Sequence, residues 1–302
     1  MAAFKVFDMS TPVSPVADST ALARGLKTRH LTMMGLGSAI GAGLFLGTGV
    51  GIAAAGPAVI LAYVVAGFIT VCFMQMLAEM VAARPSSGTF STYAEQAFGR
   101  WAGFAIGWLY WFMMIMIMAV EITGASAIVA DWFGISPWIP ALAAIAVFTV
   151  INFAAVKNFG EFEFWFALIK VAVIVAFLAI GVLLWLGVLP ASGFVGLSNV
   201  KDVGFMPNGW AGVATALLAV AFAFGGIEVV TIAAAESENP SENVKRAVNS
   251  IIWRIALFYI GSVAVIILLL PYAAIDGADS AADSPFTAVL EMANIPGAAG
   301  LM

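Results

Sequence analysis

Four charged residues lie inside stretches of this sequence that are otherwise apolar; Glu79 is expected to form a local ion pair with Arg84, and the types of the other three could carry chemistry. They are Lys170, Glu121 and Glu228. Placing an ionisable group in a bilayer is costly, so such residues mark pathways for protons, ions or polar solutes. A lysine held away from water releases its proton more readily than a lysine in solvent. We therefore expect Lys170 to take the place of a coupling cation and to carry a proton.

Each of these charged residues also has a structural interpretation. Lys170 lies about two turns into its apolar stretch, and its long side chain could instead reach the cytoplasmic face. Glu121 could pair with another helix rather than face a cavity. Glu228 follows two glycines and would lie in the first turn of a half-helix, where the helix dipole stabilises a carboxylate. We treat Glu121 and Glu228 as candidate gating residues, with the structural role left open.

Two glycine-rich interruptions lie within stretches that are long enough to cross a bilayer. The first covers residues 35–45 and the second covers residues 222–228. Glycine weakens a helix, and backbone that leaves the helix inside a membrane must be buried in protein or line a polar cavity. A pair of such breaks in corresponding spans of two halves is the best sequence indication of a transporter's binding site. We predict that main-chain groups at these breaks bind a solute.

Main-chain groups at two breaks would suit the two ends of a zwitterionic amino acid. A half-helix beginning near Leu44 would direct its amide groups at a carboxylate, and carbonyls of the second break would accept from an ammonium. The predicted substrate-binding residues are Ser38, Ala39, Ile40, Gly41, Ala42, Gly43, Phe222, Ala223, Phe224, Gly225 and Gly226. Helix packing is the alternative interpretation, because glycines 37 and 41, and 43 and 47, have small-xxx-small spacing.

The composition places the chain in a membrane. The sequence is 63% hydrophobic with 10% charged residues, and its mean hydropathy is +1.06. A spanning helix needs about 20 mostly apolar residues. Stretches of that kind occur at 31–55, 57–82, 102–130, 138–156, 163–188, 210–235 and 248–272. The predicted fold class is an all-α polytopic membrane protein of about seven spans.

The distribution of charge predicts the orientation of the spans. Basic residues precede the first span and follow the second, fourth and sixth, so the N-terminus is expected in the cytoplasm. Residues 1–23 are polar and are predicted to be disordered. We expect a first repeat of five spans over 24–190. An incomplete second repeat over 191–302 would hold two spans, an extracellular loop and the start of an eighth. The chain is therefore interpreted as truncated, with a genuine seven-span protein as the alternative.

Four blocks of sequence resemble a known family. These blocks, residues 26–45, 84–93, 160–170 and 222–240, resemble amino acid permeases of the amino acid–polyamine–organocation superfamily, in the bacterial amino acid transporter branch. By overall similarity, the sequence resembles the aromatic amino acid permeases of this branch most. The resemblance implies twelve spans in an inverted five-plus-five repeat with broken first and sixth spans, and proton symport. It also implies that Lys170 is the coupling lysine.

These observations together predict a secondary active transporter that imports amino acids across the cytoplasmic membrane by proton symport. A neutral, aromatic substrate is expected, because Phe222 and Phe224 would form walls suited to offset stacking. Proline and 4-aminobutyrate are alternative substrates. A truncated permease fragment that does not transport is the alternative function.

Other classes of protein fit the sequence less well. One cysteine and one histidine supply neither a metal cluster nor an intramembrane catalytic pair, so no enzyme, metal or cofactor is expected, and a proton is the suspected coupling ion. No basic stripe indicates nucleic acid. A retinal receptor is disfavoured, because the intramembrane lysine is in the fifth span rather than the last. The expected partners are an amino acid and the lipid bilayer, and the oligomeric state stays open.

Overall fold

The computed structural model describes residues 28–37, 40–84, 89–153, 156–189, 196–229, 240–275 and 284–293, and regular structure in these ranges is helical. The α-helices are α1 (Thr28–Gly37), α2 (Ala42–Ala55), α3 (Val59–Ala83), α4 (Thr89–Phe98), α5 (Arg100–Phe133), α6 (Trp138–Phe153), α7 (Val156–Trp185), α8 (Ser198–Val203), α9 (Gly209–Ala223), α10 (Pro240–Arg254), α11 (Ser262–Leu269) and α12 (Pro285–Met292). A π-helical segment, Ile255–Gly261, joins α10 to α11.

Every predicted span contains at least one of these helices. Four stretches are long and apolar enough to cross a membrane, namely Gly43–Ala83, Arg100–Phe133, Glu161–Trp185 and Val248–Leu269. Helices α6 and α9 are shorter and equally apolar in character. A turn at Gly56, whose φ of +62° suits glycine, separates α2 from α3 in the first stretch. The prediction of an all-α polytopic membrane protein is confirmed.

The core lies where α2, α3 and α9 meet. Val59 and Tyr63 of α3 and Val220 of α9 are fully buried there. The helices approach closely because glycines recur every four residues along one face of α2. A Cβ at Gly43 would lie 2.9 Å from Ala223 Cα, and one at Gly47 would lie 3.2 Å from the Ala219 carbonyl oxygen. Small-residue packing therefore operates along α2, directly after the first break.

Helix α7 supports the start of the first span and the last described span. A Cβ at Gly37, the last residue of α1, would lie 2.5 Å from Ala167 Cβ of α7. Farther along α7, Gly181 packs directly against Val265 of α11. Helix α4 lies on α5, where a Cβ at Gly103 would come within 2.6 Å of Glu95 Cβ. The division of the chain into two repeats at residue 190 stays a prediction.

Candidate functional site

The first helix break lies between α1 and α2. Helix α1 ends at Gly37 and α2 begins at Ala42, with Gly41 in extended conformation at φ −140° and ψ −177°. The Ile40 amide donates to the Gly37 carbonyl at 3.0 Å, and the Leu44 amide donates to Gly41 at 3.0 Å. Of the predicted binding residues, Ser38 and Ala39 lie outside the described residues. Ile40 is buried and Gly41 connects the two half-helices.

The second break follows α9. The helix ends at Ala223, and the chain passes through a series of turns from Phe224 to Glu228. Gly226 has a φ of +95°, a conformation that glycine adopts far more readily than other residues. The amide of Val229 donates to the Gly226 carbonyl at 3.1 Å, as the amide of Ile227 does to the Phe224 carbonyl at 3.5 Å. The predicted interruption at residues 222–228 is therefore present, with its first two residues still helical.

The two breaks lie against each other. A Cβ at Gly43 would meet the Ala223 Cα at 2.9 Å, the Phe222 carbonyl oxygen at 3.2 Å and the Phe222 ring at 3.3 Å. Residues that are about 180 positions apart in sequence thus lie side by side. The structure brings Gly43 against Phe222 and Ala223, and the role of the predicted residues in binding stays a prediction. The side chain of Ala42 lies outside the described residues.

A buried aromatic cluster holds the second break in place. The ring of Phe224 stacks on Tyr259 with centroids 4.6 Å apart, and Tyr63 packs edge-on against Phe224 at 6.2 Å. The Tyr259 hydroxyl donates to the Ala223 carbonyl at 2.8 Å, at the very end of α9. The Tyr63 hydroxyl is hydrogen-bonded to Thr48 of α2 at 2.7 Å. Phe224 is therefore packed in the protein, while Phe222 remains 39% exposed.

The sequence analysis missed the two tyrosines of this cluster. Tyr259 lies in the π-helical segment, and such segments occur often at functional sites. A signal was available, because a tyrosine in an apolar span needs a partner for its hydroxyl. The partners, a carbonyl 36 residues away and a threonine 15 residues away, are visible only in the fold.

Glu228 links the second break to α5. Its side chain is 8% exposed. One carboxylate oxygen accepts from the Tyr110 hydroxyl at 3.3 Å, and the other accepts from the Gly226 amide at 3.1 Å. The carboxylate thus ties the turn at Gly226 to Tyr110 of α5. Tyr110 was not singled out in the sequence.

Glu121 lies on α5 beside the first break. Its side chain is exposed, and a Cβ at Gly41 would lie 2.6 Å from Glu121 Oε1. The absence of a side chain at Gly41 therefore makes room for the carboxylate. The sequence left open whether Glu121 faces a cavity or another helix, and the structure places it against the main chain of α2's first residues.

Lys170 lies on the exposed surface of α7. Ala167, one turn earlier on the same helix, contacts Gly37 at the end of α1. Lys170 is thus less than one helical turn from a residue that packs on the end of α1, and its own side chain is exposed. Its coupling role stays a prediction.

Comparison with known proteins agrees with this architecture. A family model described as amino acid permease matches residues 30–302. The chain is 67% identical to the aromatic amino acid transport protein AroP of Corynebacterium glutamicum, over 93% of this chain and 61% of that protein. It is 46% identical to the gamma-aminobutyric acid permease of Escherichia coli, over 93% of this chain and 60% of that protein. AroP of Salmonella typhimurium is 41% identical, over 89% and 58%.

The matches cover a similar share of each relative's length. The chain spans about 60% of the length of the curated relatives it matches. The matched part includes both helix breaks, α7 with Lys170, and α5 with Glu121. Family model, relatives and fold lead to the same conclusion, and the chain belongs to the amino acid permease family.

Proposed function

We propose that this chain carries the substrate site and the coupling lysine of a permease that imports aromatic amino acids across the cell membrane by proton symport, with its N-terminus in the cytoplasm. The contact between the two helix breaks is the observation that carries the proposal. Broken spans in corresponding positions form the binding sites of many secondary transporters. The proposal assigns the chain no catalytic residue and no cofactor.

The carboxylate of the substrate would bind at the first break. The N-terminus of α2 begins at Ala42, and its first amides point along the helix axis toward the break. Anions are favoured at such a terminus by the amides and by the helix dipole together. Because Gly41 and Gly43 carry no side chain, Glu121 and the end of α9 lie directly against the main chain of this segment.

The ammonium of the substrate would bind between the second break and Glu121. The Phe222 carbonyl oxygen, which lies beside Gly43, is the proposed main-chain acceptor. A carbonyl oxygen has two lone pairs, so the bond from the Gly225 amide to the Phe222 carbonyl leaves one of them available. The carboxylate of Glu121, beside Gly41, supplies the negative charge that an ammonium requires.

The substrate side chain is proposed to be aromatic. Phe222 is partly exposed and lies against Gly43, where it can stack on a bound ring. A relative with 67% identity is named as an aromatic amino acid transport protein, whereas the gamma-aminobutyric acid permease of Escherichia coli is 46% identical. 4-Aminobutyrate is the second candidate substrate, on the strength of that similarity.

Uptake and competition would test the substrate. We would measure uptake of labelled phenylalanine in cells lacking aromatic permeases, which express this chain alone or with the coding sequence that naturally follows it. Excess phenylalanine, tyrosine and tryptophan should each compete, and proline and 4-aminobutyrate should not. Competition by 4-aminobutyrate or proline alone would contradict the aromatic assignment.

Replacement of Lys170 would test the coupling. In the form that transports, Lys170→Ala should abolish accumulation driven by a pH gradient, because no group would then carry the proton. Lys201→Ala provides a matched control, since Lys201 is also an exposed lysine but lies in the short helix α8, outside the predicted spans. Unchanged accumulation by the Lys170→Ala variant would show that Lys170 does not carry the coupling proton.

A further inference from the structure

A cavity lies on the α4 side of the second break, next to the candidate substrate site. It has a volume of about 710 Å³ and is a partly open cleft between α3, α4, α5 and the turns after α9. Its described lining includes residues of α9 and the turns but none of α1 or α2. Clefts of about 300–1,000 Å³ are typical of sites for small organic molecules. The substrate site as proposed above needs the first break, so this cavity adjoins that site and shares Phe224 and Gly225 with it.

The wall of the cavity is apolar and partly aromatic. Phe73, Phe90 and Tyr110 form a continuous row, with ring centroids 5.0 Å and 6.0 Å apart. The hydroxyls of Thr70 and Tyr93, which also line the cavity, donate to main-chain carbonyls of their own neighbourhood. The row therefore forms an apolar surface against which a hydrophobic molecule can pack.

A single carboxylate closes one end of this aromatic row. Glu228 lines the cavity and accepts hydrogen bonds from Tyr110 and Gly226. A carboxylate has about four acceptor sites, and the backbone amide of Glu228 itself also donates to this one, so about one remains for a ligand. Across the described residues, no ion pair joins Glu228 to a basic side chain, and no other charged residue lines the cavity. A desolvated carboxylate is best satisfied by a charged donor.

We propose that this cavity binds an amphiphilic monoamine, with its ammonium on Glu228 and its aromatic or aliphatic body along the row of Phe73, Phe90 and Tyr110. The charge of the wall selects the ligand. A lipid tail would fill the apolar volume but would bring no donor to Glu228, and an acid would place two carboxylates together. A cation close to the faces of Tyr110 and Phe90 gains further attraction from the rings.

Three probes of the same shape and different charge would test the proposal. They are 4-phenylbutylamine, 4-phenylbutan-1-ol and 4-phenylbutyrate, each titrated into the purified 302-residue chain in lipid nanodiscs. We expect the amine to bind about tenfold more tightly than the alcohol, because a charge-assisted hydrogen bond is stronger than a neutral one. The acid should bind most weakly. Glu228→Gln should lower the affinity for the amine to that for the alcohol.

Two tryptophan substitutions locate the binding. Ala97 lines the cavity from α4, so Ala97→Trp should abolish binding of the amine. Ala146→Trp, at an exposed alanine of α6 outside the cavity, should leave it unchanged. If Ala97→Trp does not give a folded protein by circular dichroism and gel filtration, Ile69→Trp blocks the cavity from α3.

The outcomes separate this site from the alternatives. Equal affinity for the three probes would overturn the proposal in favour of unspecific lipid-like occupancy. Binding that survives both cavity-blocking substitutions would also overturn it. Displacement of the amine by phenylalanine, with Ala97→Trp without effect, would assign the amine to the substrate site instead. If this proposal fails, the expected result of the uptake experiment does not change, because the proposed substrate site requires the first break and the amine site does not.

Discussion

Replacing Gly43 with alanine tests the contact between the two breaks. The added Cβ would lie 2.9 Å from the Ala223 Cα and 3.2 Å from the Phe222 carbonyl oxygen. Both of these atoms belong to the main chain, so relief requires α2 and α9 to move apart rather than a side chain to rotate. Overpacking of this kind costs about 1–3 kcal/mol. Alanine also favours the helix by up to about 1 kcal/mol, which offsets only part of that cost.

Gly107 on α5 provides the matched control. A Cβ at Gly107 would meet only the Cβ of Ser91, at an ordinary 3.5 Å. Gly107→Ala should therefore keep the gain in helix preference without the clash, and stability should stay unchanged or rise by up to about 1 kcal/mol. The two glycine-to-alanine changes are chemically identical, so a difference in sign isolates the packing of α2 on α9.

The assay is thermal unfolding of the purified 302-residue chain in one detergent, followed by circular dichroism. Gly43→Ala should lower the unfolding midpoint relative to the parent chain, and Gly107→Ala should not. In the form that transports, Gly43→Ala should also reduce phenylalanine uptake, because it widens the site between the breaks. Equal midpoints for the two variants would refute the close approach of α2 and α9 on which the site rests.

Other substitutions test the tethers around the site. Tyr259→Phe keeps the ring stack but leaves the Ala223 carbonyl without its donor, so a loss of about 1–3 kcal/mol in thermal unfolding is expected, and a parental midpoint would contradict it. In a double-mutant cycle, Thr48→Val and Tyr63→Phe should together cost less than the sum of their single effects, because they share one hydrogen bond. Strict additivity would argue against that bond. Asn208→Ala should speed hydrogen exchange near the end of α2, because it removes the hydrogen bond to the Ala54 carbonyl. Unaltered exchange would argue against that hydrogen bond.

The glycine pattern predicted the breaks because glycine acts locally. Helix interruption at Gly41 and the positive φ at Gly226 follow from the residue itself and its immediate neighbours. The limits of the breaks were less predictable. Gly43 and Ala223 are already helical, since mutual packing of α2 and α9 extends each helix toward the break.

Contacts between distant helices could not be predicted from the sequence. The bond between Glu228 and Tyr110 joins residues 118 apart, and nothing near either residue signals the other. The direction in which a side chain points from an apolar helix is equally hard to predict from the sequence. From Phe164 onward α7 is apolar except for Lys170, so the pattern placed Lys170 on the helix but not on a particular side. Arg254, which looks like a cytoplasmic flank in the sequence, is buried in the structure at 2% exposure.

The tethers also indicate which parts of the site move together. At the end remote from the breaks, Asn208 donates to the Ala54 carbonyl and Tyr272 donates to the Ala53 carbonyl, which binds the end of α2 to α9 and to the segment after α11. Near the breaks, Tyr259 binds the end of α9, and the glycines of α2 hold it against α9 along its length. Helices α2 and α9 are thus fastened at both ends. Rearrangement around a bound solute is therefore expected at the breaks themselves, where turns and extended backbone replace helical hydrogen bonds.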